Sequence, residues 1–445
     1  MMSSKDIFNV RLLPNFLALS FGVLATLISF SISVIKGIET TSIPDADGYI
    51  KQALIFSNGF TSIFENADKL THGLGYSLTI AGTFLLSNST SLLLFKILTA
   101  ATHGVSTYLF TRIARKYISS TKLVLLCVAF FALDPFVLSA ASDVQTEPFT
   151  TLFTILWLFL YLSPATAFHM NHGILVIFFV SGFYSVIIRP NSLLPFLLIA
   201  ILFFFRIKSL ELTKKIFILP FSIFAILMTG YEIFLTKLYA GFVFLSPIGG
   251  YSSIFMCRKE FVPQYLGIAS KSKNDEINAW VMNGGGVKEL IESDPTTTIS
   301  NLDSRFYEIG KEYCLNNPLE SAGILILKAA ALWRPFTVFG AYSLSVFVIS
   351  MLIWIPLTIT TLRFISRKNL TKNEKLLRLF FLVLSVGYTI SLLLTPTQIR
   401  HRIAFAEPFY WLFFFHYVAL NRERLDSHRI KVIVFFRQFF LPHRN

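Results

Sequence analysis

The chain has 445 residues, of which 54% are hydrophobic, 16% aromatic and only 14% charged. A soluble domain carries about 25% charged residues, so this composition excludes a soluble enzyme, a disordered chain and a cysteine-rich secreted scaffold. The net charge of +14 is expected to come from Lys and Arg beside membrane spans. No RNP-like, zinc-finger or basic-zipper pattern occurs, so no nucleic-acid partner is expected.

Apolar runs long enough to cross a lipid bilayer recur along the chain. A helical span needs about 20 mostly apolar residues, and a helix satisfies its own backbone groups where water is absent. About ten runs qualify, and the first is expected to be retained: 12–36, 90–111, 121–141, 148–163, 173–188, 191–205, 216–240, 341–362, 379–396 and 402–420. We therefore predict an all-α polytopic membrane protein with about ten transmembrane helices.

The positions of Lys and Arg predict the orientation of these helices. If the spans alternate, the basic clusters all fall on one face: Lys5 and Arg11; Arg112, Arg115, Lys116 and Lys122; Arg206, Lys208, Lys214 and Lys215; Arg363, Arg367, Lys368, Lys372, Lys375 and Arg378; and the C-terminal tail. That face should be the cytoplasm. An even number of spans then places both termini in the cytoplasm and the two long loops on the opposite, outer face.

The predicted spans divide the chain into four segments. The first is an N-terminal membrane module, 1–242, whose first outer loop, 37–75, carries interfacial helices. A large periplasmic loop, 243–340, follows. The C-terminal transmembrane helices occupy 341–421, and a basic cytoplasmic tail, 422–445, ends the chain.

Two carboxylates lie just after the first span. Asp45 and Asp47 are followed by Gly48, which is expected to let the backbone turn sharply, and by Tyr49, which starts an amphipathic run. Ionisable residues near a membrane are costly and are therefore functional candidates. The alternative is that these two carboxylates are simply exposed at the start of a loop.

A second carboxylate pair straddles the link between the third and fourth spans. Asp143 and Glu147 are four residues apart and share a helix face if the fourth helix begins early. They could instead be an N-cap and a first-turn carboxylate, which the helix dipole favours.

Arginines follow at the same predicted face. Arg189 and Arg334 each precede a proline, and Arg400 and Arg402 flank His401. We expect these side chains to reach one cavity at the outer membrane boundary, although Arg400 and Arg402 could also be interfacial anchors. A carboxylate can accept the proton of an attacking hydroxyl, and guanidinium groups can hold a phosphate leaving group. Together with lipid-facing walls, these groups suit sugar transfer from a lipid phosphate.

The chain has three cysteines. Cys127 lies inside a predicted span, where it is expected to be a small apolar filler. Cys257 and Cys314 both lie in the large outer loop. They are a disulfide candidate if that face is oxidising, but two cysteines in one loop need not come close enough to bond.

The order of these features resembles the GT-C superfamily of integral-membrane glycosyltransferases, in particular bacterial relatives of protein mannosyltransferases and aminoarabinose transferases. The similar segments are 45–53 (DADGYIKQA), 71–76 (THGLGY), 142–148 (SDVQTEP), 188–191 (IRPN), 316–318 (NNP) with 333–335 (WRP), and 399–408 (IRHRIAFAEP). The prolines of the family's second segment are missing here, and His401 and Ala404 replace its usual Tyr and Pro in the last.

The resemblance implies an outer-face site that uses an undecaprenyl-phosphate sugar and inverts the anomeric carbon. It implies Asp45 as general base, with Asp47 as second choice. It assigns the acceptor, or a divalent cation such as Mg²⁺ or Mn²⁺, to Asp143 and Glu147 with Tyr49 and His72. It assigns the donor phosphate to Arg400 and Arg402, with Arg189 and Arg334. The acceptor is expected to be a surface glycan or lipid, such as a lipopolysaccharide or O-antigen intermediate.

Two other functions remain open from the sequence. A polysaccharide polymerase or ligase would use a diphosphate-linked donor and depend on Arg and His in the large loop. A flippase or transporter of lipid-linked sugars would show paired repeats and broken helices with charges at the midplane. The sequence analysis predicts neither feature, because its charged candidates gather at the outer ends of spans.

Overall fold

The computed structural model describes residues 4–41, 44–70, 72–163, 172–209, 215–246, 257–259, 299–335, 344–393 and 399–421. Every regular element within these ranges is helical, which agrees with the predicted all-α class. The α-helices are α1 (Ser4–Lys36), α2 (Pro44–Ser57), α3 (Phe60–Glu65), α4 (Leu74–Ser87), α5 (Leu93–Tyr117), α6 (Thr121–Ala132), α7 (Pro135–Ala141), α8 (Glu147–Tyr161), α9 (His172–Ile188), α10 (Leu193–Ser209), α11 (Lys215–Leu238), α12 (Ile299–Asn316), α13 (Pro318–Trp333), α14 (Leu344–Ser366), α15 (Lys372–Leu393) and α16 (Ile399–Leu420).

Five helices of the described chain are long and apolar enough to cross a membrane: α1, α11, α14, α15 and α16. The pair α6 and α7 makes a sixth span if its two halves are taken together. The ten predicted runs all overlap helices, but the count of about ten is not confirmed. Helices α8, α9 and α10 have 15, 17 and 17 residues, fewer than the roughly 20 that a span needs. Helix α5 has 25 residues, but its polar and basic side chains keep it out of the apolar set.

Helices α1 and α5 make a close contact through small residues. A Cβ atom added to Gly104 would lie 2.6 Å from the carbonyl oxygen of Gly22, too close for any larger side chain. Small residues at such crossings let two backbones approach, which drives helix association where the hydrophobic effect is absent.

Elsewhere aromatic rings fill the space between helices. Phe178, for example, lies 5.0 Å from Phe196 and 4.2 Å from Phe203, measured between ring centroids.

The described Lys and Arg side chains of 112–122, 206 and 363–378 lie at one end of the bundle, which we call the basic end. Lys116 at the end of α5 donates to the carbonyl of Leu162, and Arg206 of α10 donates to that of Ser163. The hydroxyl of Tyr117 donates to the carbonyl of Asn373, at the start of α15. The opposite end contains α2 and the links α7–α8 and α9–α10, and we call it the carboxylate end.

The described part of the large loop is tied together by covalent and ionic contacts. Cys257 and Cys314 form a disulfide. The guanidinium of Arg258 lies 4.4 Å from the centroid of the Tyr313 ring. The Tyr313 hydroxyl donates to Glu320 at 2.7 Å, and this hydrogen bond is the main cause that lowers the pKa of the Glu320 carboxyl from its usual value. Most of 243–340 and all of the tail 422–445 lie outside the described residues.

Candidate functional site

The segment after the first span is helical and packs on a histidine. Residues 44–57 form α2, and the chain reverses before it at Gly37, whose φ is +94°. Gly48 is therefore not the turn that the sequence suggested. A Cβ atom at Gly48 would lie 2.4 Å from Cε1 of His72, so the glycine makes room for that imidazole. The predicted turn at Gly48 was wrong because glycine occurs not only in turns but also where two elements approach closely.

Three aromatic rings connect α2 to the core of the carboxylate end. The Tyr49 ring lies 4.9 Å from the His72 ring and 4.8 Å from that of Tyr76, which it meets edge-on. Tyr76 has no exposed surface and contacts the rings of Phe95 and Phe149 edge-on as well. The rings of Tyr49 and His72, which lie in separate segments of the first outer loop, are thus joined to helices α4, α5 and α8.

Beside these rings, Glu147 and Arg189 form an ion pair. Glu147 is the first residue of α8, where the helix dipole favours a carboxylate. Arg189 follows α9 in an extended conformation, and its Nη2 lies 3.7 Å from Oε1 of Glu147. The side chains are 11% and 7% exposed for Arg189 and Glu147 respectively. Tyr76 lies within electrostatic range of Glu147 and of Asp143, so the ion pair and the rings belong to one cluster.

A second ion pair links Asp143 to a lysine that the sequence analysis missed. Nζ of Lys96, on α5, lies 3.7 Å from Oδ1 of Asp143 and donates to the carbonyl of Ser142 at 3.0 Å. Lys36, at the end of α1, donates to the Ser142 hydroxyl at 2.9 Å. A signal was available, because a lone lysine inside an apolar run must find a partner.

A small, partly open cavity adjoins Glu147 and has room for about one water molecule. Its walls come from α5, α7, α8 and α16 and include His103, Ser106, Thr151, Ile403 and Ala404. The Thr151 hydroxyl donates to the carbonyl of Ala404 at 2.9 Å. The N-terminal parts of α8 and α16 are therefore neighbours, but neither Asp47 nor Arg402 lines this cavity.

Arg402 points into the protein and not into an open cavity. Its side chain has 0% exposure, and its Nη2 lies 3.4 Å from Oε1 of Glu407. The guanidinium lies 4.7 Å from the Trp354 ring and 5.5 Å from the Tyr410 ring, and Nη1 donates to the carbonyl of Arg334. The expectation of an outward-reaching or snorkelling Arg402 is therefore not met, because α16 turns this residue toward its helix neighbours.

Near this pair, the third predicted span is broken at Asp134. Helices α6 and α7 meet at an angle of 52°. One Asp134 oxygen accepts the N–H groups of Phe136 and Val137, and the other accepts the indole N–H of Trp411 at 3.1 Å. Asp134 is also within electrostatic range of Arg402 and Glu407. The run 121–141, expected as one span, is therefore two helices, and the Asp134-Pro135 pair is the local signal for the break, since proline favours a helix start.

The remaining candidates lie around these two clusters. Asp47 is exposed and accepts a hydrogen bond from the Thr41 hydroxyl at 3.4 Å. Arg334 is half-buried at the C-terminus of α13. The side chains of Asp45 and Arg400 lie outside the described residues, although both positions are in the first turns of their helices. In the ranges that the structure covers, no three His, Cys, Asp or Glu side chains are placed to hold a metal ion.

Comparisons with known proteins give no family assignment. No model of a protein family matches the chain, and no curated protein matches it. The resemblance to GT-C glycosyltransferases therefore depends on the order of the segments described above.

Proposed function

We propose that the chain is an inverting glycosyltransferase of the GT-C kind. It transfers a sugar from an undecaprenyl-phosphate carrier to an outer-face acceptor, such as a lipopolysaccharide or O-antigen intermediate. One observation carries the proposal. At the end of the bundle opposite the basic end, Tyr49 contacts His72 and Glu147 pairs with Arg189. Tyr76 links the two pairs, since its ring contacts those of Tyr49 and of Phe149, two residues after Glu147. A buried carboxylate, a guanidinium and aromatic walls are the groups that sugar transfer from a lipid phosphate needs.

The register of α2 favours Asp45 as the general base. Position 45 is one turn before Tyr49 and therefore on the same helix face, which continues through the buried residues Gln52 and Phe56. Asp47 is on the other face, together with exposed Lys51. A carboxylate at this position can accept the proton of the attacking hydroxyl.

The donor phosphate is assigned to Arg189 and Arg400. Arg189 is already at the cluster, and position 400 is two residues before Arg402 in the helix that contacts α8. Guanidinium groups bind phosphate through paired hydrogen bonds and stabilise the charge of the leaving group. Arg402 is assigned a positioning role, since it fixes the first turn of α16 from inside the bundle. Glu147 and His72 are proposed to orient the acceptor.

The location of the enzyme follows from the same proposal. We assign the basic end to the cytoplasm, because Lys and Arg are retained on that side during insertion. The 25-residue helix α5 and the short apolar helices α8, α9 and α10 then complete about ten spans of a bacterial inner-membrane protein. Exposed Phe60 and Phe64 on α3 contact Phe234 of α11. This aromatic surface, close to α2, is proposed to receive the hydrocarbon tail of the donor.

Transfer by the purified protein in detergent tests the proposal. The lipid-linked sugar and an acceptor are supplied, and the new glycosidic bond is detected by mass spectrometry. Asp45→Asn should lower the rate at least about 100-fold, the usual effect of losing a general base, while Asp47→Asn and the control Glu65→Gln should remain close to the parent. Unchanged transfer by Asp45→Asn would remove the base assignment, and no bond formation by the parent protein would remove the enzymatic function.

A transporter of lipid-linked sugars is the second candidate. The observation that favours it is the broken span α6–α7, with Asp134, Arg402 and Glu407 inside the bundle. Asp134 is about 18 Å from the start of α6, given 12 residues at about 1.5 Å each, and broken helices with buried charges are typical of transporters. Movement of a labelled lipid across proteoliposomes, without bond formation in detergent, would favour this function over transfer.

A further inference from the structure

A second cavity lies at the basic end, far from the cluster described above. It has a volume of about 580 Å³ and lies between the end of α14 and the end of α16. Its lining residues are Arg363, Phe364, Ser366, Arg367, His416, Tyr417, Leu420 and Asn421. The rings of Phe364 and Phe413 stack beneath it with their centroids 4.2 Å apart, so the cavity has a packed floor.

The charges around this cavity are not balanced. Arg363 is exposed, and in the part of the chain that the structure describes its guanidinium contacts the phenol of Tyr417 and no carboxylate. Arg367 lies 3.5 Å from Glu374, but the same carboxylate oxygen lies 2.7 Å from Nε2 of His416. The Arg367 guanidinium and the His416 imidazole thus share one carboxylate oxygen, and Arg363 lies beside them. Only one hydrogen bond from the five N–H groups of Arg363 is accounted for in this part of the chain.

An apolar stripe leads to the cavity along α14. Leu352 and Ile359 are 71% and 44% exposed, and at a spacing of seven they share a helix face with Arg363 and Ser366. Leu362 and Leu420, beside the cavity, are also exposed, at 58% and 48%. Exposed leucine and isoleucine on a membrane helix are solvated by acyl chains, so a lipid along this stripe has its head at the level of Arg363.

We infer that this cavity binds the phosphate of an anionic phospholipid whose acyl chains lie along the α14 stripe. The guanidinium groups of Arg363 and Arg367 supply paired donors for the phosphate oxygens. Tyr417 and Asn421 form the polar rim toward the headgroup. Basic pockets between membrane helices at the cytoplasmic side are suited to anionic lipid heads, because electrostatic attraction and acyl contact act together there. The site is independent of the catalytic proposal.

Lipid binding to the full chain in a neutral detergent tests the inference. Dioleoylphosphatidylglycerol, dioleoylphosphatidylcholine or inorganic phosphate is titrated, and bound lipid is counted by native mass spectrometry. We expect phosphatidylglycerol to bind in preference to phosphatidylcholine. Arg363→Gln should weaken it about fivefold and the double variant Arg363→Gln/Arg367→Gln about 25-fold, since each basic residue near a lipid head contributes about a factor of five. Arg363 contacts a neutral partner, so its single variant should fold normally.

A matched control removes the same charge elsewhere. Lys122 and Lys375 are exposed at the basic end but do not line the cavity, and Lys122→Gln/Lys375→Gln should change phosphatidylglycerol affinity by less than about twofold. Equal weakening by both double variants would mean a diffuse surface charge effect and overturn the site. Equal binding of the two lipids would overturn it too. Displacement of phosphatidylglycerol by an equal concentration of inorganic phosphate would identify a free-phosphate site instead of a lipid site.

Discussion

Nη2 of Arg402 lies 3.4 Å from Oε1 of Glu407, and neither side chain has any exposed surface. The same guanidinium donates to the carbonyl of Arg334, at the C-terminus of α13, and faces the ring of Trp354 on α14. One side chain thus connects α13, α14 and α16. A buried ion pair can hold these helices together only while both charges are present. If one partner is removed, the other charge remains buried without compensation, which is strongly unfavourable.

Removal of one partner of this pair should therefore destabilise the bundle. Arg402→Met leaves the Glu407 carboxylate buried without its cation, and we expect a loss of about 3–5 kcal/mol in the free energy of unfolding. The double variant Arg402→Met/Glu407→Leu should recover most of that loss, since it leaves no buried charge from the pair. Thermal unfolding in detergent measures both. Arg305→Met, at an exposed position on α12, is the control. A stable Arg402→Met protein, or a double variant no better than the single, would contradict this account.

The ion pair between Glu147 and Arg189 should affect catalysis more than folding. If Arg189 holds the donor phosphate, Arg189→Gln should lower kcat about 100-fold, as loss of a group that stabilises developing charge does. Glu147→Gln should also slow transfer, and the double variant should be no slower than the worse single variant, because the two act as one unit. Arg305→Gln, exposed on α12, is the control. If the variants lose folded protein in proportion to activity, the pair is structural only.

The sequence could predict the helices and the meeting of distant segments, but not the rotation of individual helices. Hydropathy and charge are local signals, and alternation of spans already places Glu147 and Arg189 at one end of the bundle. By contrast, Arg402 is turned inward, where its guanidinium faces Trp354 of α14 and Tyr410 of its own helix. That rotation depends on side chains far away in sequence, and the apolar run 402–420 gives no preferred face from which to infer it.

The sequence also could not predict the partners of buried lysines or the role of single glycines. Lys96 was part of a predicted apolar span, and nothing local identifies Asp143 as its partner. Gly48 followed two aspartates, a context typical of a turn, yet it is helical and faces His72. Which residue packs against a glycine depends on the tertiary fold and cannot be inferred from the adjacent sequence. The break at Asp134 was the exception, since the following Pro135 is a local signal for a new helix.

Substitution of Gly48 tests the contact between α2 and His72. In Gly48→Ala the new Cβ would lie 2.4 Å from Cε1 of His72, so the imidazole or the helix must move and the Tyr49 ring with it. We expect transfer to fall at least tenfold, because a displacement of about 1 Å can cost 100-fold in rate. Gly82→Ala in α4 is the control: no atom lies within 4 Å of its Cβ, and the protein should gain about 0.5–1 kcal/mol. Full activity in Gly48→Ala would exclude a role for this contact.

The disulfide between Cys257 and Cys314 should stabilise the large loop measurably. The two residues are 57 positions apart, and closing a loop of that length removes chain entropy worth about 4 kcal/mol from the unfolded state. Cys257→Ser should therefore lower the thermal unfolding temperature under oxidising conditions, and reductant should lower that of the parent to the same value. Cys127→Ser, a change at a buried thiol outside the loop, should remain sensitive to reductant. Alkylation of both loop thiols in the unreduced parent protein would show that the bond is absent.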